Sequence, residues 1–348
     1  MKILYVTTRQ WNPGDEFILR GSRRILQACG IKEDVASIYN KSPQTTSLFE
    51  SWNFWKKPYY KSLASSLDFA VNITHYDNSF KRSNDINFYD IVVFSGSPAW
   101  YGGRLKPLYK KLKEFRGKIL FLGIGTPNKP LALSEDEKNI LRRSTVFCRN
   151  QDLVKNLGKQ DVVARYLPCP ALMSSPFERD AVNGVNLVGL GFNVMDTHRY
   201  QRMSSEKFAL QKRLFEALNS RYDCRIICHY VDELEHAAEL YGTDKVRYAF
   251  DAIDYPGLYS EFDFVLSSRV HGCGMSSSVG VPNAAITHDA RGDTVNGFLS
   301  ARVDSEVSLS KVIDQRVEDL IAWQERIKSQ KKSTLVQYVE ALSPVLSF

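Results

Sequence analysis

Two basic side chains, Arg269 and His271, stand two positions apart where an apolar run, Phe264-Val265-Leu266, gives way to small residues, Gly272 through Gly280-Val281-Pro282. A buried strand is expected to stop there and a helix to begin. Ligands of open α/β sheets bind at the carboxyl ends of strands. A helix start adds exposed N–H groups and partial positive charge, which suit an anion. Arginine supplies a planar fork for phosphate or carboxylate, and histidine a group that titrates near neutrality. The stretch therefore reads as an anion site that holds an acid/base. A buried Arg–His pair tying loops together is the other reading. Arg149 repeats the pattern at the end of Thr145-Val146-Phe147-Cys148.

The elements that must position these groups alternate between short apolar runs and helical patterns, which predicts parallel sheets. The first unit is Lys2–Thr8, the loop Arg9–Asp15, and a helix from about Glu16 to Cys29 that stops at Gly30. It lacks G-x-G-x-x-G, so a dinucleotide fingerprint is absent. Asn12 and Gly14 lie in that loop, and Asp15 either caps the helix or reaches into a cleft. Strands over Asp90–Phe94 and Lys118–Leu122 end in glycine-containing loops with Ser95, Gly96 and Gly125. After a polar stretch, Ser174–Asp180, the pattern repeats: strands over Gly184–Leu190 and Asp223–Cys228 lead to Asn193 and His229. The expectation is α/β: two Rossmann-like domains, residues 1–175 and 181–305, facing across a cleft in the GT-B manner, with C-terminal helices over 306–348 packing back. A basic run, Lys328–Lys332, separates two apolar stripes on that helical tail, and its lysines are expected on the polar face. An aromatic-rich insertion at about 41–88 would either stack on sugar rings or a lipid interface, or form a subdomain core.

The chain has 348 residues, 43% hydrophobic and 24% charged, with a formal net charge of +7. That is globular composition with a mild basic excess. It fits anionic substrates or peripheral contact with the inner face of a membrane rather than nucleic acid. The N-terminus turns polar too soon for a signal peptide, and no run of about 18 apolar residues appears. A cytoplasmic setting is expected. The six cysteines form no C-x-x-C pair; Cys224, Cys228 and His229 read as core packing on a strand rather than as a metal cluster, so no metal is expected.

Four segments in order carry a resemblance. Asn12-Pro13-Gly14-Asp15 before a helix, Cys148-Arg149-Asn150 with Leu153 and Leu157, Pro168-Cys169-Pro170-Ala171-Leu172, and Ser268-Arg269-Val270-His271 with Gly280-Val281-Pro282 resemble the N-x-G-D, R-D, D-P-A and R-x-H/G-V-P segments of the polysaccharide pyruvyl transferase family. Ser95-Gly96-Ser97 stands where that family has a G-G-G-type loop, Asn150 and Cys169 where it has acids. The resemblance implies a GT-B-like enzyme that moves pyruvate from phosphoenolpyruvate onto a sugar diol as a cyclic ketal. The acceptor would belong to an exopolysaccharide or capsule precursor, lipid-linked or not, with no cofactor beyond the co-substrate. It implies that Arg149, Arg269 and Gly272 bind the donor, that His271 is the general acid, and that Asp15 meets the acceptor hydroxyl. Two rival readings are a nucleotide-sugar glycosyltransferase, with Asp289 and Asp293 on a ribose, and a non-catalytic member of the fold.

Overall fold

The computed structural model describes residues 1–9, 12–41, 85–98, 105–127, 130–194, 203–286, 292–317 and 319–347. The aromatic stretch expected to form an insertion, and Asp289, lie outside those residues except for the insertion's two ends. At those ends, Lys41 is buried, and Ile86–Phe88 forms a single 3-10 turn capped by Asp85.

Two parallel sheets carry the chain. The first contains β1 (Lys2–Thr7), β2 (Val35–Asn40), β3 (Ile91–Ser95), β4 (Lys118–Ile124), β5 (Thr145–Cys148) and β6 (Arg165–Tyr166), in the order β2-β1-β3-β4-β5-β6. The second contains β7 (Leu187–Gly191), β8 (Asp223–Ile227), β9 (Val246–Arg247), β10 (Phe264–Ser267), β11 (Asn283–Ile286) and β12 (Ala301–Val303), in the order β12-β11-β10-β7-β8-β9. Helices cover both faces, so β3, β10 and β11 are buried along their whole length. That is why these strands read as unbroken apolar or small runs rather than alternating ones. Strand order reverses beside β1 in one sheet and beside β7 in the other. Those two crevices are where such sheets bind ligands.

Helix α1 (Pro13–Ala28) follows β1 and buries Phe17, Ile18, Ile25 and Leu26. It starts at Pro13, earlier than the expected Glu16, because proline's fixed φ suits the first helical turn. Asp15 therefore lies inside the first turn, and Asn12 is the N-cap residue. Four further helices flank the sheets: α2 (Lys106–Leu112), α3 (Glu135–Arg142), α4 (Gln151–Gly158) and α5 (Ser205–Asn219). The second half continues with α6 (Asp232–Tyr241), α7 (Tyr255–Ser260), α8 (Val270–Ser278), α9 (Glu306–Val317) and α10 (Leu320–Leu346). Between Met173 and Leu187 the chain has no regular element. It is not slack: Ser175 N donates to Ser278 Oγ at 2.6 Å, and Arg179 N to Val279 O at 2.9 Å.

The expectation that every lysine of Lys328–Lys332 lies on the polar face is corrected by the structure at Lys331. α10 runs through these lysines without interruption from Leu320 to Leu346. Lys331 is buried, donates to Ser278 O at 2.6 Å and pairs with Glu178 at 3.0 Å, so this cation faces inward. α10 packs back on the first sheet. Tyr338 donates to Pro168 O at 2.9 Å and meets Phe147 edge-on, with ring centroids 5.3 Å apart. One apolar core runs from Ile3 and Phe17 through Val265 and Met275 to Tyr338 and Leu342, joining both sheets and the tail. Among the described residues no helix is long and apolar enough to cross a membrane.

Candidate functional site

The start of α1 and the start of α8 meet between the two sheets. Each helix brings orphan N–H groups and the positive end of its dipole. Gly14 packs so tightly on His271 that a Cβ there would sit 2.3 Å from Nδ1; only glycine lets the helix start approach this closely. The other edge of the imidazole meets the first sheet, where Arg149 Nη1 lies 2.7 Å from His271 Nε2. Arginine only donates, so Nε2 is the acceptor and the ring proton of the neutral tautomer sits on Nδ1. His271 is half-buried, which leaves it reachable.

Arg149 leaves the end of β5 and lies across Gly125, where a Cβ would sit 2.6 Å from Nε. It is 4% exposed. It makes no ion pair among the described residues, and its Nε has no hydrogen-bond partner. Its side-chain partners are His271 and Cys169 Sγ at 3.9 Å. Burial pushes the Cys169 thiol up, so it stays neutral beside the guanidinium and supplies no countercharge.

Arg269 is placed differently. Its side chain turns into the second domain and pairs with Glu233, which is fully buried. Nε donates to Phe192 O at 3.3 Å, and the guanidinium stacks 4.4 Å above the Tyr230 ring. Glu233 Oε2 also accepts from His229 N at 2.7 Å and Tyr230 N at 3.1 Å. Tyr230 then crosses between the domains and donates its hydroxyl to Asn12 Oδ1 at 3.2 Å. A ring of contacts results: Arg269 to Tyr230, Tyr230 to Asn12, Gly14 to His271, and back along the chain to Arg269.

Around the β1/β3 crevice, Asp15 pairs with Lys41 at 3.3 Å, and Lys41 also donates to Ser97 O at 2.6 Å. Gly96, at φ +87°, lies near Asp15. Ser97 Oγ accepts from Gly125 N at 2.8 Å and so steadies the strip under Arg149. Asn150 ties the domains together. It accepts from Thr126 N at 3.2 Å and donates to Thr294 Oγ1 at 3.1 Å.

The structure thus gathers Asn12, Gly14, Asp15, Gly96, Gly125, Arg149 and His271. It does not bring the remaining expected residues to the same surface. Gly272 is buried against Ser267 and Tyr259 and serves close packing. Ser95 is fully buried at the end of β3, its hydroxyl unpartnered. Asn193 is fully buried, and neither polar atom of its carboxamide finds a partner. His229 is buried, bonded to Tyr259 OH at 2.8 Å and edge-on to Phe17. Burial, then the Arg269 charge, pulls its pKa down to about 3, so it is a neutral packing group. Cys224 and Cys228 sit in the core of the second sheet. Asp293 pairs with Arg302 at 2.6 Å at the surface. Among the described residues no group of three or more His, Cys, Asp or Glu is placed to hold a metal ion. Sequence reasoning missed Lys41, Glu233 and Tyr230. Glu233 alone left a trace, as a carboxylate at a helix start just past a strand.

Comparison with known proteins follows this geometry. Solved structures share the fold over nearly the full length. The UDP-GlcNAc 2-epimerase of Neisseria meningitidis bound to UDP-GlcNAc is 13% identical, with TM-score 0.55, covering 98% of this chain and 100% of that one. MnaA of S. aureus in complex with UDP is 11% identical, with TM-score 0.51, covering 96% and 97%. At such identity the likeness establishes the two-domain GT-B architecture and nothing further. Among curated proteins none matches this sequence. A family profile described as polysaccharide pyruvyl transferase matches residues 12–290, a span that begins at Asn12 and includes Arg149, Cys169 and the Arg269–His271 segment. The chain belongs to the polysaccharide pyruvyl transferase family.

Proposed function

We propose that the protein transfers pyruvate from phosphoenolpyruvate to two hydroxyls of a sugar in a surface glycan or its precursor, forming a cyclic ketal and releasing phosphate. The observation that carries this reading is Arg149: a buried guanidinium without a carboxylate partner among the described residues, hydrogen-bonded to a reachable histidine between two helix starts. A buried charge without a partner is costly, and an anionic ligand removes that cost. Phosphoenolpyruvate carries a carboxylate and a phosphate and so matches the fork.

In this reading, donor binding draws Arg149 onto the anion and frees His271 Nε2 to take up a proton. His271 gives that proton to the methylene carbon of the enol, and the first acceptor hydroxyl adds to the central carbon while losing its own proton to the imidazole. The C–O bond to phosphate then breaks, the second hydroxyl closes the ring and releases a proton, and the leaving charge rests on Arg149 and the helix starts. Asp15, held by Lys41, orients an acceptor hydroxyl. Arg269 acts through Tyr230 and Asn12 by fixing α1 against His271.

The test measures phosphoenolpyruvate binding by calorimetry, then phosphate release with a panel of pyranoside diols. Wild type is expected to bind and turn over. Arg149→Gln should lose binding. His271→Ala should keep binding and lose turnover by about 10²–10⁴-fold. Release of UDP from UDP-sugars without any phosphoenolpyruvate binding would overturn the proposal in favour of a glycosyltransferase. Binding without turnover on every diol would overturn it in favour of a non-catalytic protein.

A further inference from the structure

We propose that a basic groove remote from Arg149 and His271, running from α1 across residues 173–178 to α10, binds a diphosphate-type anion. Two adjoining cavities, about 540 and 460 Å³, share Arg24 in their walls. Their walls hold seven arginines and lysines against three glutamates, a balance of +4 out of the whole chain's +7. The fold gathers much of the chain's mild basic excess here.

Three of the cations are neutralised in place: Arg23 by Glu33, Lys331 by Glu178 at 3.0 Å, and Lys328 by Glu325 at 3.3 Å. Arg20, Arg24, Lys32 and Lys332 make no ion pair among the described residues. Arg20 and Arg24 are one helical turn apart on α1, where like charges oppose each other. Both are half-buried, and their heads are fixed by consecutive carbonyls. Arg20 Nε donates to Ser174 O at 3.4 Å, and Arg24 Nη1 to Ser175 O at 2.9 Å. Burial holds the Arg20 pKa below its ordinary value against the opposing pull of the Asp251 and Glu16 carboxylates, with the Arg23 and Arg9 charges adding to burial. Two preset guanidiniums with flanking lysines match the charge of two linked phosphoryl groups better than that of a single carboxylate. The cavities are of headgroup size. Arg24 lies ten residues along α1 from Gly14, about 15 Å at the helical rise, so the groove is separate from the Arg149 site.

The diphosphate has two possible sources, a free molecule or a lipid headgroup at a membrane surface. Calorimetry with inorganic pyrophosphate at low salt probes the first. Co-sedimentation with phosphatidylcholine vesicles carrying a polyprenyl diphosphate, against phosphatidylcholine with an equal charge of phosphatidylglycerol, probes the second. With the proposed donor site disabled, Arg149→Gln should still bind the probe and should lose that binding on addition of the groove substitutions, which separates this groove from the proposed donor site. Arg20→Gln/Arg24→Gln should bind at least about tenfold more weakly in whichever arm is positive. Lys32→Gln/Lys332→Gln changes two side chains with no structural contact, so a folding failure of the arginine pair leaves the test intact; it should weaken binding about threefold. A control on another face, Lys207→Gln/Lys212→Gln, should leave binding unchanged. The proposal is overturned if wild type binds neither probe, if the groove variants bind as wild type does, or if the control weakens binding as much as they do.

Discussion

Arg149 and Arg269 each stand at the carboxyl end of a parallel strand, β5 in one sheet and β10 in the other, and by residue type and strand-end position they are equal candidates for holding an anion. Their surroundings differ. Arg269 meets a buried carboxylate, a carbonyl and an aromatic face. Arg149 meets an imidazole nitrogen and a neutral thiol. A buried guanidinium that already has its counter-anion holds the architecture. One that lacks it is poised for a ligand. Position at a strand end locates the crevice, and the resident countercharge decides what the arginine does there.

Replacing each arginine by methionine tests that difference directly. Arg269→Met leaves Glu233 buried and unpaired and should destabilise the protein by about 3–5 kcal/mol. Arg149→Met removes a buried charge that has no counter-anion among the described residues and should leave the ligand-free protein as stable or about 1–2 kcal/mol more so. Urea unfolding of the two variants reads the contrast. Equal losses would show that Arg149 is as structurally committed as Arg269, and the comparison would collapse. Added phosphoenolpyruvate should stabilise wild type and leave Arg149→Met unmoved.

Much of this frame was legible because parallel strands buried on both faces leave apolar runs, and because the crevice lies at their ends. Arg149 and His271 announced themselves by type and place. The pairing that sorts the arginines did not. Glu233 and Arg269 lie on opposite flanks of β10's approach and meet only in the folded sheet, and Lys41 reaches Asp15 and Ser97 from distant segments. The same limit explains Lys328–Lys332, where a local basic run suggested lysines on a solvated helix face. Lys331 finds Glu178 and Ser278 O from far along the chain. The edge strands β9 and β12, two and three residues long, are too short to show any period.

His229 sharpens the comparison through pH. It sits beside the compensated arginine and is held neutral, its pKa lowered from 6.5 to about 3 by burial and the Arg269 charge. The unfolded chain takes up a proton below 6.5 while the folded one refuses it until about pH 3. Stability from this group is complete above that window and falls as pH drops through it, by about 2 kcal/mol at pH 5. His229→Gln should flatten the stability profile between neutral pH and pH 5 by that amount. A profile parallel to wild type would mean that the imidazole is not held neutral in the fold.

The smallest effect tests whether the two halves are separable. Tyr230→Phe keeps the ring beneath Arg269 and removes only the hydroxyl that donates to Asn12. The stability loss should be about 1 kcal/mol, the value of one hydrogen bond. The functional consequence follows from geometry. Asn12 sets the start of α1, and Gly14, two residues on, is packed against His271 Nδ1, so a looser Asn12 loosens the imidazole. Arg149 stands on the first sheet with Gly125 beneath it and does not depend on that contact. Phosphoenolpyruvate affinity should therefore stay within about twofold while turnover falls several-fold more, a split between KM and kcat. If affinity and turnover fall together, the Arg269 ring and the Arg149 anchor act as one unit, and the division of labour between the two arginines is wrong.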